Sequence, residues 1–91
     1  MAEIKGKTST GFEFTVDQDV MDDMELIDAI SDTMDNNPIS FSVVCTKLLG
    51  KDQKKLLYDH LRNESGRVTV EAVSNEIADI FKALGDEGKN S

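Results

Sequence analysis

Apolar residues recur at steps of three and four along most of this chain of 91 residues, and this spacing restricts the fold more than any other feature. Such spacing predicts amphipathic helices, each with one buried side. The pattern predicts helices at roughly 19–35, 38–49, 52–63 and 69–84, separated by Asn36-Asn37-Pro38, by Gly50 and by Ser65-Gly66, with Gly85 closing the last one. We therefore predict a mainly α fold, a small bundle of about four helices.

The same spacing predicts which residues form the core. In the first helix, capped by Asp17 or Asp19, the apolar face consists of Val20, Met24, Ile27, Ile30 and Met34. In the next two helices it consists of Phe41, Val44, Cys45, Leu48 and Leu49, followed by Leu56, Leu57 and Leu61. The last helix has the most regular face, comprising Val70, Val73, Ile77, Ile80, Phe81 and Leu84. Ile77 and Met24 are expected in the core, and the position of Met21 is left open.

Residues 1–16 have a different character from the rest. The alternation from Phe12 to Val16 has the period of a half-buried strand, and Ile4 is placed to begin a partner strand of a hairpin. An isolated hairpin is only marginally stable, so its apolar face must pack on the helices or on another chain. We predict one domain over 1–91, with a β segment at 1–16, helices over 17–85 and a flexible tail at 86–91.

The charge is unevenly distributed. There are 18 acidic and 10 basic residues, a formal net charge of −8. Residues 17–35 contain eight acids and no Lys or Arg, and the remainder contains ten of each, so one predicted helix accounts for the whole net charge. This charge disfavours nucleic acid and anionic membranes as direct ligands. The acidic helix is interpreted either as a solubilising face or as a surface that attracts a basic partner.

No constellation of residues predicts catalysis, a metal site or a cofactor. A calcium loop at 32–38 would place Pro38 at its sharp turn and lack the closing Glu. A phosphopantetheine-carrying serine is not expected either, because Ser65 follows a helix instead of starting one. The single Cys45 lies on an apolar face and His60 at the edge of one, which indicates a buried thiol and a boundary residue. We expect that the protein is not an enzyme and binds no cofactor. We also expect a cytosolic protein, since the chain shows no secretory signal, no membrane span and no cysteine pair.

Three segments of the chain resemble a known protein family. The first runs from Gly11 through Asp17 and on from Asp22 to Ala29, the second from Leu48 to Leu61, and the third from Gly66 to Ile77. These segments are similar to the tail assembly chaperones of long-tailed bacteriophages of Gram-positive hosts. The resemblance implies a mostly helical protein that acts in the host cytoplasm and is absent from the mature virion. Its partners would be the tape measure protein, which it keeps soluble, and tail tube subunits, recruited in some members through a frameshifted longer form.

Two other functions stay open at this point. An inhibitor that imitates DNA would spread its carboxylates along an extended surface, and a small structural subunit would remain in the virion. The chaperone family has no fixed functional positions that could be transferred to this chain, so the partner surface is inferred from this sequence alone. We predict an apolar surface formed by Phe12, Phe14 and Met21, bordered by the carboxylates of Asp22, Asp23 and Asp28. Self-association through the strand edge is an alternative role for the aromatic residues.

Overall fold

The structure, a computed structural model, describes residues 3–35 and 37–89 of the chain, with side chains up to Gly85. In order, the elements are strands β1 (Glu3–Lys7) and β2 (Glu13–Asp17), a 3₁₀ turn (Val20–Asp22), and helices α1 (Met24–Met34), α2 (Pro38–Leu61) and α3 (Val70–Lys89). The fold is therefore mainly helical with an N-terminal hairpin, as predicted, but the described residues contain three α-helices where about four were expected.

The difference in helix number arises at Gly50. The predicted helices 38–49 and 52–63 form one helical stretch, α2, in which Gly50 alone is non-helical, with φ 80° and ψ 165°. The glycine does interrupt the helix, as expected, but the chain resumes helical geometry immediately and no loop is inserted. The interruption leaves the carbonyl of Leu49 to be satisfied by a side chain, and the Gln53 amide donates to it at 3.0 Å.

Gln53 also connects this break to the hairpin. Its amide nitrogen donates to the carbonyl oxygen of Thr15 at 2.6 Å, and its amide oxygen accepts from the Thr15 N–H at 2.8 Å. One side chain thus pairs with both backbone groups that Thr15 presents at the outer edge of β2. Since unpaired strand edges promote association between chains, this contact closes part of the edge that the self-association alternative requires.

Each α-helix begins after a residue whose side chain caps it. Asp23, with extended backbone, caps α1 by accepting the Glu25 N–H at 2.9 Å. The predicted caps, Asp17 and Asp19, lie further upstream. The predicted helix 19–35 began too early, because a 3₁₀ turn at Val20–Asp22 precedes α1, which starts at Met24. Asn37 caps α2 just before Pro38, and Thr69 accepts the Ala72 N–H at the start of α3.

Helix α3 is longer than predicted. It continues past Gly85 to Lys89, so the expected end at Gly85 was wrong. A flexible tail at 86–91 stays a prediction, and Asn90 and Ser91 lie outside the described residues.

The hairpin covers the helices with its apolar face. Strands β1 and β2 are antiparallel, with Ile4 opposite Val16 and Gly6 opposite Phe14, as the prediction of a partner strand at Ile4 required. The core lies between this face and the three helices, and its buried apolar members are Phe12, Phe14, Val16, Leu26, Ala29, Val44, Cys45, Leu48, Leu49, Leu57, Val73, Ile77, Ile80 and Leu84. The predicted core residues of α2 and α3 are therefore mostly confirmed; Leu56 and Val70 are exposed instead.

The tip of the hairpin is attached to the helices by polar contacts. Ser9 donates to Asp79 Oδ2 from its backbone N–H at 2.9 Å and from its hydroxyl at 2.5 Å. The Thr10 hydroxyl donates to Glu76 Oε1 at 2.6 Å, and His60 Nε2 lies 3.1 Å from the same hydroxyl. The hairpin is thus held at its tip as well as by its apolar face.

Candidate functional site

Helix α1 exposes an acidic face toward a groove that it forms with the first half of α2. We call Glu25, Asp28 and Asp32 the acidic face, because their spacing of three and four residues places them on one side of the helix. The groove has a volume of about 210 Å³ and is completed by Ala29, Ser40, Val43 and Lys47. Lys47 Nζ lies 3.3 Å from Glu25 Oε1, an exposed ion pair that contributes little to stability. Asp28 and Asp32 form no side-chain hydrogen bond or ion pair with other described residues, which leaves both carboxylates accessible to a partner.

Beside the acidic face, α1 exposes an apolar one. Met24, Ile27 and Met34, here called the methionine face, are 65%, 42% and 79% exposed. All three were predicted in the core, and that prediction was wrong. Leu26 and Ala29 are buried in their place, with Ile30 half-buried. The helix begins at Met24 and carries apolar residues on two sides, and the side with the small Ala29 is the one packed into the core.

The methionine face has the composition of an adaptable binding surface. Methionine side chains are unbranched and flexible, and therefore fit apolar partners of different shapes. Large apolar side chains grouped on one exposed helix face are also more informative than scattered ones, since small proteins seldom leave such groups uncovered without a partner. Helix α1 thus places an apolar face and an acidic face side by side, which suits an amphipathic helix with a basic border.

The structure divides the residues predicted to bind a partner into three groups. Phe12 and Phe14 are only 7% and 2% exposed, so the expectation that helices leave the strand face uncovered was wrong. Asp23 is half-buried and caps α1, which gives this carboxylate a structural role. The remaining three residues, Met21, Asp22 and Asp28, are exposed in or near α1, where a partner can reach them.

Sequence reasoning missed one buried carboxylate. Glu76 is 1% exposed, and while its Oε1 accepts from Thr10, its Oε2 has no hydrogen-bond partner among the described residues. The sequence could have predicted its burial, since Glu76 lies three residues after Val73 and four before Ile80 on the buried face of α3. The contact with Thr10 joins this carboxylate to the hairpin tip, so we interpret Glu76 as part of the attachment.

Cys45 and His60, the only cysteine and the only histidine in the chain, both have surroundings that indicate a structural role. Cys45 is fully buried, as predicted, and desolvation raises the pKa of its thiol to about 11, although Lys54 nearby opposes the shift. His60 is exposed, and its ring lies 5.7 Å from that of Phe12 at the hairpin tip. Within residues 3–35 and 37–89, no three His, Cys, Asp or Glu side chains are grouped so as to hold a metal ion.

Comparison with known proteins identified no relative of this chain. No protein-family model, no curated protein and no solved structure matches this chain. Among the described helices, none combines the length and apolar character that crossing a bilayer requires.

Proposed function

We propose that this protein is a tail assembly chaperone of a long-tailed bacteriophage or prophage, which binds the tape measure protein through helix α1. The observation that carries the proposal is the exposed methionine face lying beside the acidic face on one helix. A tape measure protein is a long helical client with apolar stripes, and such a stripe can pack on Met24, Ile27 and Met34 while basic residues along its border meet Asp28 and Asp32. The resemblance of the sequence to this family supports the same function.

The binding surface in this proposal differs from the one expected from the sequence. Phe12 and Phe14 are omitted because they are buried, and the apolar contribution comes from α1 and the neighbouring Met21. The carboxylates act mainly on the rate of association, because exposed charges steer a partner and are screened by salt. In this function the protein works in the host cytoplasm, helps to recruit tail tube subunits, in some cases through a frameshifted longer form, and leaves before the virion is complete. It requires no enzymatic activity and no cofactor.

Co-expression with the tape measure protein encoded in the same genome tests the proposal. Changing Met24 and Met34 together to Ser should abolish co-purification without unfolding the protein, because both side chains are more than half exposed. The matched control is Leu56→Ser, which removes an exposed apolar side chain, 59% exposed, from a different helix and should leave capture unchanged. Equal capture by the double variant and the wild type would eliminate the methionine face as the client surface.

The acidic face requires a separate variant. Asp28→Asn with Asp32→Asn should slow client association and reduce its dependence on salt, leaving dissociation nearly unchanged. If salt and charge removal have no effect, the acidic face serves only solubility. Mass spectrometry of purified virions addresses the structural alternative, since a chaperone is absent from them and a structural subunit is present.

A further inference from the structure

The second half of α2 carries a basic stripe that the proposed function does not use. Four cationic side chains and the Tyr58 ring lie on one side of this helix, where they line an open groove of about 430 Å³ together with Thr46 and Asp59. Lys54 and Lys55 follow Lys51 by three and four residues, and Arg62 follows Lys55 by seven, so helical periodicity places all four on one side. We call this set the basic stripe; it consists of Lys51, Lys54, Lys55, Tyr58 and Arg62.

Part of the basic stripe is held in place by contacts within the chain. Lys54 Nζ donates to Ser42 Oγ at 2.8 Å and to Thr46 Oγ1 at 3.0 Å, and it lies 5.6 Å from the centroid of the Tyr58 ring. These contacts fix the position of the Lys54 ammonium without neutralising it, because both hydrogen-bond acceptors are uncharged.

The cations on either side of Lys54 differ in their partners. Arg62 is paired with Asp59 at 3.1 Å. Lys51 and Lys55 are exposed and form no ion pair with other described residues. The groove therefore offers an ordered aromatic and ammonium centre with two accessible positive charges beside it, a combination suited to an acidic helix.

The same chain provides such a helix. On the acidic face, Asp28 and Asp32 are four residues apart, which matches the separation of Lys51 and Lys55 along α2. Four residues of helix correspond to about 6 Å, so both pairs can meet when the two helices lie side by side. A nucleic acid is a poorer occupant, because it presents negative charge along its whole length to a protein of net charge −8.

We infer that the basic stripe of one copy binds the acidic face of a second copy of this chain. The contact joins two different surfaces, so it forms either a closed pair, in which it occurs twice, or a head-to-tail series. Charges beyond the contact repel because both copies are acidic, but at about 0.1 M salt they are screened beyond about 10 Å. The inference does not depend on the identity of any client. It does place self-association and the proposed client on the same face of α1, so the two would compete.

Sedimentation velocity on the purified protein at about 0.1 M and about 1 M salt gives the first test. The wild type should form pairs or larger species at the lower salt and dissociate at the higher. Reversing charge on the stripe, Lys51→Glu with Lys55→Glu, should weaken association by on the order of tenfold or more. So should reversal on the acidic face, Asp28→Lys with Asp32→Lys. The control Lys5→Glu with Lys82→Glu makes the same charge change as the stripe variant at exposed sites elsewhere and should preserve the wild-type assembly.

Mixing the two reversed variants gives the decisive result. Each alone carries like charges on both surfaces and should stay a single chain. The mixture again contains opposite charges on facing surfaces, so it should restore the wild-type mass. Circular dichroism verifies that each variant is folded. A wild type that remains a single chain at the lower salt overturns the inference, as does a mixture that does not associate.

Discussion

Replacing Gly50 by Ala isolates the cost of the break within α2. At φ 80° and ψ 165°, Gly50 occupies a backbone region that is essentially restricted to glycine. A Cβ built at this position meets no atom within 4 Å, so the substitution introduces strain without a tertiary clash. Forcing an alanine into such a conformation costs about 1–3 kcal/mol. Reduced freedom of the unfolded chain offsets about 0.4–1 kcal/mol of this, so we expect a net loss of up to about 2.6 kcal/mol.

Urea denaturation followed by circular dichroism at the helical band measures this loss. The midpoint should fall while the slope with denaturant stays the same, since the surface exposed on unfolding is unchanged. In a thermal scan, each kcal/mol corresponds to about 4–8 °C for a domain of this size.

Gly85→Ala is the matched control. Gly85 lies inside α3 with helical backbone, and a Cβ there also meets nothing within 4 Å. Alanine should therefore stabilise the protein by about 0.5–1 kcal/mol. If Gly50→Ala is as stabilising as Gly85→Ala, the chain tolerates a continuous helix through residue 50, and the reasoning about the break is refuted.

Three further predictions concern the core and its attachments. Ile77→Ala should destabilise the protein by about 2–5 kcal/mol in the same urea assay, because Ile77 is only 6% exposed; a change within error would show that the core lies elsewhere. The Cys45 thiol, whose pKa burial raises to about 11, should react with a thiol reagent at neutral pH only when urea unfolds the chain, and rapid labelling of the native protein would contradict its burial. Hydrogen bonds from the Ser9 hydroxyl and N–H lower the pKa of Asp79 below its ordinary 3.8, so this contribution to stability is present above pH 3.8 and disappears as the pH falls through the lower, folded value. Asp79→Asn should accordingly be less stable than the wild type at neutral pH, and a difference that persists unchanged in acid would exclude this linkage.

The sequence was sufficient where one apolar pattern was dominant. In α3, the regular spacing identified Val73, Ile77, Ile80 and Leu84, all of which are buried. The hairpin partner at Ile4 could be predicted for a similar reason, since an alternating strand requires a neighbour. The break at Gly50 was located correctly, but no sequence rule distinguishes a glycine that ends a helix from one that bends it and lets it continue.

Helix α1 shows why the candidate site was only partly predictable. It carries two sets of apolar residues, and spacing alone favours the larger side chains of Met24, Ile27 and Met34. Packing selects the other side, where Leu26 is fully buried. This choice depends on how α1 packs against α2 in the assembled fold, which the spacing within α1 does not determine. The same limit applied to Phe12 and Phe14, because the coverage of a strand by helices depends on the assembled fold.

The close approach of the two strands at Gly6 fixes how they can align. A Cβ on Gly6 would lie 2.6 Å from the Phe14 ring, so the ring occupies the space that any other residue would need. Sliding β1 by two residues keeps its inner side facing the core but brings Ile4 or Thr8 opposite Phe14, and either side chain would displace the ring. Sliding by one residue would turn a lysine inward. Only one alignment of the strands therefore leaves room for the Phe14 ring. Because it has no side chain, Gly6 fixes the register of the hairpin.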